Sequence, residues 1–271
     1  NSVLGIRVMQ RSTPRRFQVR VFATEVLRGT SAVVYKVIER LSGHDMQRIA
    51  NEEAAPATCF IYQLNENQFE TRFYNTTHEI QLCGHGLLAS AKVIAQDSQY
   101  ESFKLLTRDI LVSCQYNPRQ NNLEIAFREL KATEVSAPTW LSDCFNVKPN
   151  KVSKAGPEDG YWVMEWPRDM ALSDLVVEPD ILMEKTQRAV IATQQSSNSD
   201  YDYNFRYFAP QHGVLEDKAT GSAHRVLVSY WHQHLNKCNF KARQYSIEGA
   251  ELIGRIEGED VWISGNVEIE R

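Results

Sequence analysis

One pattern of residues is written twice in this chain. Residues 206–224 read RYFAPQHGVLEDKATGSAH. Here an aromatic strand opened by Arg206 stops at Pro210, and a loop with Gly213 carries Glu216 and Asp217. The small residues Thr220, Gly221, Ser222 and Ala223 then lead into an apolar helical run. Residues 72–91 read RFYNTTHEIQLCGHGLLASA, with Arg72 opening the strand, Glu79 in the loop and Cys83, Gly84, His85 and Gly86 at the junction. One such junction is an ordinary capped loop. Two of them point to an internal duplication of long period and hence to two similar units. Small residues at a strand-to-helix junction leave N–H groups unpaired at the positive end of a helix dipole. Two such ends facing one another would grip a small anion from both sides. Each contributes about 0.3–1 kcal/mol, rising toward 2 when partly buried. A carboxylate is the expected guest.

At these residues the chain resembles a known family. EDKATGSAH with the preceding RYFAP is similar to the second-domain motif of the phenazine-biosynthesis (PhzF-like) isomerases, and LCGHGLLASAKV to their first-domain motif. FQVRVFATEVLRGTSAVV (17–34) resembles the family's opening strand, loop and strand, and MQRIANEEAAPATCFI (46–61) its helix and following strand. GAELIGRIEGEDVWISG (249–265) resembles its closing strands. The resemblance implies an α+β chain of the diaminopimelate-epimerase fold. Two pseudo-symmetric domains, each a mainly antiparallel sheet wrapped around a central helix, would hold the site between them. The expected division is 1–120 and 121–271, with the last strand free to return to the first domain.

The departures from the family are as informative as the matches. The family's general acid/base is a Glu in a Ser-Glu-Thr-like run, and that position falls on Ala57, between Pro56 and Thr58. An alanine transfers no proton, and losing a positioned acid/base removes about two to four orders of magnitude in rate. The family's Gly-Asn-Pro run is Gly29-Thr30-Ser31 here. Asp217, His85 and Cys83 remain as catalytic candidates. The resemblance implies that Gly84, His85, Gly86, Gly221, Ser222 and Ala223 bind substrate, with no metal and no cofactor. Cys83 carries two readings. The racemases and epimerases of this fold use one cysteine per domain, and the partner position here is Thr220, so a two-base racemase does not fit. A one-base isomerase or dehydratase using Cys83 stays open, because a thiol at a helix N-terminus has a lowered pKa. So does a small buried residue without chemistry.

Other groups read two ways as well. Asp217 is either an N-terminal cap or a carboxylate that binds an ammonium and shuttles a proton. Glu52 and Glu53, one turn ahead of Ala57, read as solvated. His212 shares the loop of Asp217. Arg72 and Arg206 are either surface residues or lures for a carboxylate. Two functions stand: a PhzF-like isomerase moving a proton on a small carboxylate in the cleft, or an inactive relative that binds a small carboxylate or a protein partner.

Composition narrows the partners. Net charge is −4 from 30 basic and 34 acidic residues, with no footprint for nucleic acid or an anionic membrane. Five cysteines without C-x-x-C spacing argue against a disulfide framework and for a reducing, cytoplasmic setting. A homodimer is an open expectation. No apolar run nears the roughly 20 residues of a membrane span. The amino end, NSVLGIRVMQRSTPRR, lacks a leader's apolar core.

Along the chain, strands are expected at 17–22, 31–37, 58–64, 68–74, 79–82, 103–106 and 110–115, then at 123–127, 161–164, 190–193, 205–208, 251–256 and 261–264. Ser42 to Asp45 resembles a capping box. Central helices are expected over 84–95 and 221–234. The polar stretch 117–122 is the expected boundary between the units. QQSSNSDYDYN (194–204) is expected as a mobile surface loop, read as a plain loop ahead of a lid.

Overall fold

The computed structural model describes residues 13–97, 100–108 and 110–271. Of the amino end read above for a leader core, residues 1–12 lie outside the described residues.

Two sheets with the same order of pairings each wrap one helix. In the first half, Arg15–Val21 pairs antiparallel with Thr30–Val37, which runs parallel to Thr58–Asn65. That strand pairs antiparallel with Gln68–Tyr74, which runs parallel to Ser102–Thr107. Two antiparallel additions follow, Ile110–Asn117 and Asn122–Arg128. In the second half the strands Lys151–Ala155, Tyr161–Glu165, Ala189–Gln195, Tyr203–Phe208, Asn239–Gln244, Ala250–Glu257 and Asp260–Ser264 repeat that alternation step for step. The duplicated motif is therefore a duplicated fold unit.

The halves are laced together. Asn122–Arg128 pairs with Asp260–Ser264, and the final strand Val267–Glu270 returns to pair with Arg15–Val21. The short strand Ala132–Glu134 does the equivalent on Lys151–Ala155. Residues 117–122, expected as the boundary, instead form a tight hairpin between two paired strands. Asn121 takes its left-handed position, with φ 47°. The chain crosses to the second half just beyond Arg128, where Leu130 N–H reaches the Arg225 carbonyl. Polar turn residues look alike in a hairpin and in a linker, so composition alone does not separate the two.

The first central helix is Gly84–Ala95, buried along its length except for half-buried Lys92. Its small residues Gly86, Ala89, Ser90 and Ala91 let the sheet close tightly around it. A side chain at Gly86 would meet the Phe73 ring at 2.8 Å, and Ser90 and Thr71 share a buried hydroxyl contact of 3.2 Å. The second is His224–Leu235, entered through a short 3-10 turn, Gly221–Ala223. Ser42 caps the surface helix Gly43–Glu53 by accepting from Asp45 N–H at 3.1 Å. The second half carries its own outer core between strands and the helix Pro179–Lys185, built on Trp162, Trp166 and Leu182.

Of the expected loop 194–204, residues 196–202 turn between the paired strands Ala189–Gln195 and Tyr203–Phe208, and the fastenings of Ser196 and Tyr201 are Arg168 and Glu251, away from the cleft.

Candidate functional site

The two helix starts meet. A methyl group on Gly84 would fall 2.5 Å from the Ser222 nitrogen and 2.9 Å from Gly221 Cα, so the backbones touch with no room for a side chain. In the first helix, Leu87 N–H makes the first bond back, to the Cys83 carbonyl. In the second, His224 N–H is the first to turn back, onto the Gly221 carbonyl. The amides ahead of them belong to the unpaired first turn. Both ends open on one cavity of about 480 Å³ lined by Gly84, His85, Gly221 and Ser222 together with Cys83 and Asp217. Gly86 and Ala223, also expected to bind substrate, are buried one position behind these and do not line it.

The duplicated arginines hold the walls rather than the ligand. Arg72 makes two bonds of 2.8 Å to Glu79, and Arg206 makes two, of 3.0 and 2.7 Å, to Glu216. These equivalent forks tie each guanidinium to a loop carboxylate, and neither Arg72 nor Arg206 lines the cavity. Arg72 also holds Glu79, which faces the cleft, below the usual carboxylate range, with Arg108 adding to it. Glu53 is likewise a strut, paired with Arg16 and Tyr35 outside the cleft, while Glu52 is exposed and pairs with Arg48.

Asp217 differs from these acids. Burial raises its carboxyl to about 6, against weaker pulls from the Thr220 hydroxyl, the Lys218 and Ala219 amides and the Lys218 charge. It is half-buried on the cleft wall, and Thr220 donates to its Oδ2 at 2.6 Å. A carboxyl poised there exchanges protons near neutral pH. Cys83 goes the other way from its expectation. Its Sγ is buried 3.4 Å from His85 Nδ1, and burial, reinforced by the Asp217 charge, pushes the thiol up to about 12. Two amides of the helix start, those of Gly86 and His85, lower it too little to offset desolvation. His85 is pushed down to about 4, chiefly by burial and secondarily by the Lys218 charge, so the pair is neutral at pH 7.

Ala57 is fully buried, its carbonyl accepting from Val33 N–H at 3.0 Å, while its neighbour Pro56 reaches the cavity. Within the described residues of the first half, Glu79 is the carboxyl on the cavity wall. His212 lines the cavity as well. Its Nε2 donates to the Gln187 carbonyl at 2.9 Å. Sequence reading missed Gln244, at the end of Asn239–Gln244. It is fully buried and binds the Asp217–Thr220 loop from behind.

Acid stability follows from two of these groups. His85 falls to about 4 and fully buried His224 to about 3, both mainly through desolvation, from an ordinary value of 6.5. Their contribution is complete above pH 6.5 and is lost as pH falls through that window, because the unfolded chain then binds the extra protons. The slope is up to about 1.4 kcal/mol per pH unit for each proton. Asp217, raised from 3.8 to about 6, has the opposite sign and offsets part of the loss between those values. Urea midpoints are expected to drop from pH 6.5 toward 4, less steeply in His224→Phe and more steeply in Asp217→Asn. Equal slopes in all three proteins would refute this assignment.

Comparison with known proteins agrees with this architecture. The family model for phenazine biosynthesis-like proteins (PhzC-PhzF) matches residues 19–260. The chain is 32% identical to an uncharacterized isomerase of Pseudomonas aeruginosa over 253 residues, 92% of this chain and 93% of that protein. It superposes with a TM-score of 0.84 on a putative phenazine biosynthesis PhzC/PhzF protein from Clostridium difficile, at 27% identity and covering 96% and 98% of the two chains. A hydroxyproline epimerase from Agrobacterium vitis shares the fold at a TM-score of 0.56 and 9% identity, over 95% and 91%. Two like sheets around two helices and a match to the family model over residues 19–260 place the chain in the phenazine biosynthesis-like (PhzC-PhzF) family, which includes relatives named as isomerases.

Proposed function

We propose that this chain binds a small carboxylate between the starts of its two central helices, and that Asp217 is the group that moves a proton on it. The contact of Gly84 with Gly221 and Ser222 carries this reading, because it brings two sets of first-turn amides and two dipole ends to one cavity. Asp217 stands on the wall of that cavity with its carboxyl near 6, able to accept a proton and return it. His85, neutral and buried beside Cys83, is a hydrogen-bonding partner for the guest rather than a cation. The chemistry is one-carboxylate isomerisation, since Thr220 stands where a second thiol would be and Cys83 keeps its proton at neutral pH.

One observation favours a second reading. Ala57 ends in a buried methyl, and Glu79, the carboxyl nearest to replacing the family's Glu, is held ionised by Arg72. The alternative is an inactive relative that keeps the carboxylate pocket for binding a metabolite or a protein partner.

Both readings share one expected result. Millimolar anthranilate shifts the amide signals of Gly84, His85, Gly221 and Ser222 together, and absence of shifts at either junction refutes the pocket. A panel of small amino carboxylates in D₂O separates the two. Loss of a carbon-bound proton signal, abolished in Asp217→Asn, supports turnover, whereas binding with no exchange supports the inactive relative.

A further inference from the structure

We infer that Gln244 is a positioning residue that fixes which oxygen of Asp217 faces the cleft; this rests on the reading of Asp217 as the proton carrier. The side chain of Gln244 is fully buried and lies outside the cavity. Its Oε1 accepts from Thr220 N–H at 2.7 Å. A backbone N–H only donates, so the orientation of the Gln244 amide is settled, and Nε2 is the donor on the other side. Nε2 donates to the Asp217 carbonyl at 2.9 Å and to Thr220 Oγ1 at 3.1 Å. The Thr220 hydroxyl has one proton. Having accepted from Gln244, it gives that proton to Asp217 Oδ2 at 2.6 Å. The chain of bonds runs in one direction, from Gln244 through Thr220 to Asp217. Oδ2 is thereby kept as an acceptor, and Oδ1 is the atom that takes up and releases a proton.

The sequence places this device 27 residues beyond Asp217, on a strand running parallel to Tyr203–Phe208 and next to Ala250–Glu257. Gln244 ends that strand and bonds the Asp217–Thr220 loop without lining the cavity. The same device explains why the loop turns its threonine inward. Thr220 is the counterpart of Cys83, each residue immediately preceding one of the two touching glycines. A hydroxyl there, unlike a thiol, passes a strong hydrogen bond onward to a carboxylate.

The test is the titration midpoint of the Asp217 carboxyl, read by carbon NMR in the ligand-free full chain and assigned with Asp217→Asn. Groups facing Asp217 that must be followed in the same titration are Lys218 on its own loop, Cys83 and His85 at the first helix start, Tyr207 on the adjoining strand, and His212. Thr220→Val removes the donor and is expected to raise the midpoint by about one unit, while Thr220→Ser keeps it in place. Gln244→Met frees the hydroxyl to rotate and is expected to raise the midpoint in the same direction. In the Thr220→Val background, Gln244→Met adds nothing. If the methionine variant fails to fold, Gln244→Leu, which removes the same donor without adding a charge, is read in its place, and the midpoint is expected to rise in the same direction. A midpoint unmoved in either Gln244 variant overturns the inference, as does an additive shift in the double variant. Missing anthranilate shifts in the unaltered protein would count against the carboxylate pocket alone, because the titration is read without ligand.

Discussion

Ala57→Glu is expected to raise turnover of the dihydro-hydroxyanthranilate substrate of the family's isomerases by about two orders of magnitude or more, from a slow or silent natural chain. The expectation holds if Ala57 stands at the family's proton-carrying Glu, as the resemblance of its flanking residues implies. Residue 57 immediately precedes the strand Thr58–Asn65, and Pro56 beside it already lines the cavity. A carboxyl there would approach a guest from the first half, opposite Asp217. Desolvation would hold it largely protonated, which suits a general acid. The same burial sets the cost. Ala57 has no exposed surface, so the larger side chain overpacks the site and is expected to lower stability by about 1–3 kcal/mol. Comparing initial rates of both proteins on that substrate, with urea unfolding to read the stability loss, gives the answer. Family-like rates in the natural chain with no gain in Ala57→Glu would show that the register or the mechanism is wrong. Silence in both would favour the binding-protein reading.

Gly84→Ala is expected to be the most damaging single methyl group that can be added at the site. Its Cβ would sit 2.5 Å from the Ser222 nitrogen, 2.8 Å from the Gly221 carbonyl carbon and 2.9 Å from Gly221 Cα. All three are backbone atoms, so no side chain can swing away, and relief requires the two halves to part. The expected loss is about 3 kcal/mol, the upper end for overpacking, together with loss of the anthranilate shifts at both junctions. Gly258→Ala is the control. Gly258 has φ 62° and no atom within 4 Å of the added methyl, so the variant suffers only left-handed backbone strain of about 1–2 kcal/mol and keeps the pocket. If Gly84→Ala costs no more than Gly258→Ala and binding persists, the two helix starts do not meet as closely as described.

The sequence by itself determined the duplication, the two central helices, most of the strands and the family. These features are local or repeated. Gly84–Ala95 is an unbroken apolar run behind a glycine-rich junction, and nothing in the tertiary structure competes with that signal. The second helix is legible for the same reason, although its first three residues wind as a 3-10 turn. The strands Lys151–Ala155 and Asn239–Gln244 were not legible. Each is short and holds few apolar residues, Val152 and Ala155 in the first and Phe240 and Ala242 in the second, too few to stand out from a polar loop. Residues 117–122 show the limit of composition, since a hairpin and a linker use the same turn residues.

The chemical state of the site was decided by the tertiary structure alone. A cysteine at a helix start reads as activated, yet desolvation outweighs the helix amides at Cys83 and pushes its thiol up. Arg72 and Arg206 read as free cations until the loops fold back and bring Glu79 and Glu216 onto them. Asp217 reads as a cap, and only its enclosure by the strand and loop around it lifts its carboxyl to about 6. Gln244 has no sequence signal, because its function depends on a parallel strand pairing made far along the chain. Residue type and spacing carry the short-range signals of periodicity and capping. Burial and partner distance arise only when distant segments exclude water from one another, and those quantities set the protonation and pairing of each group in the cleft.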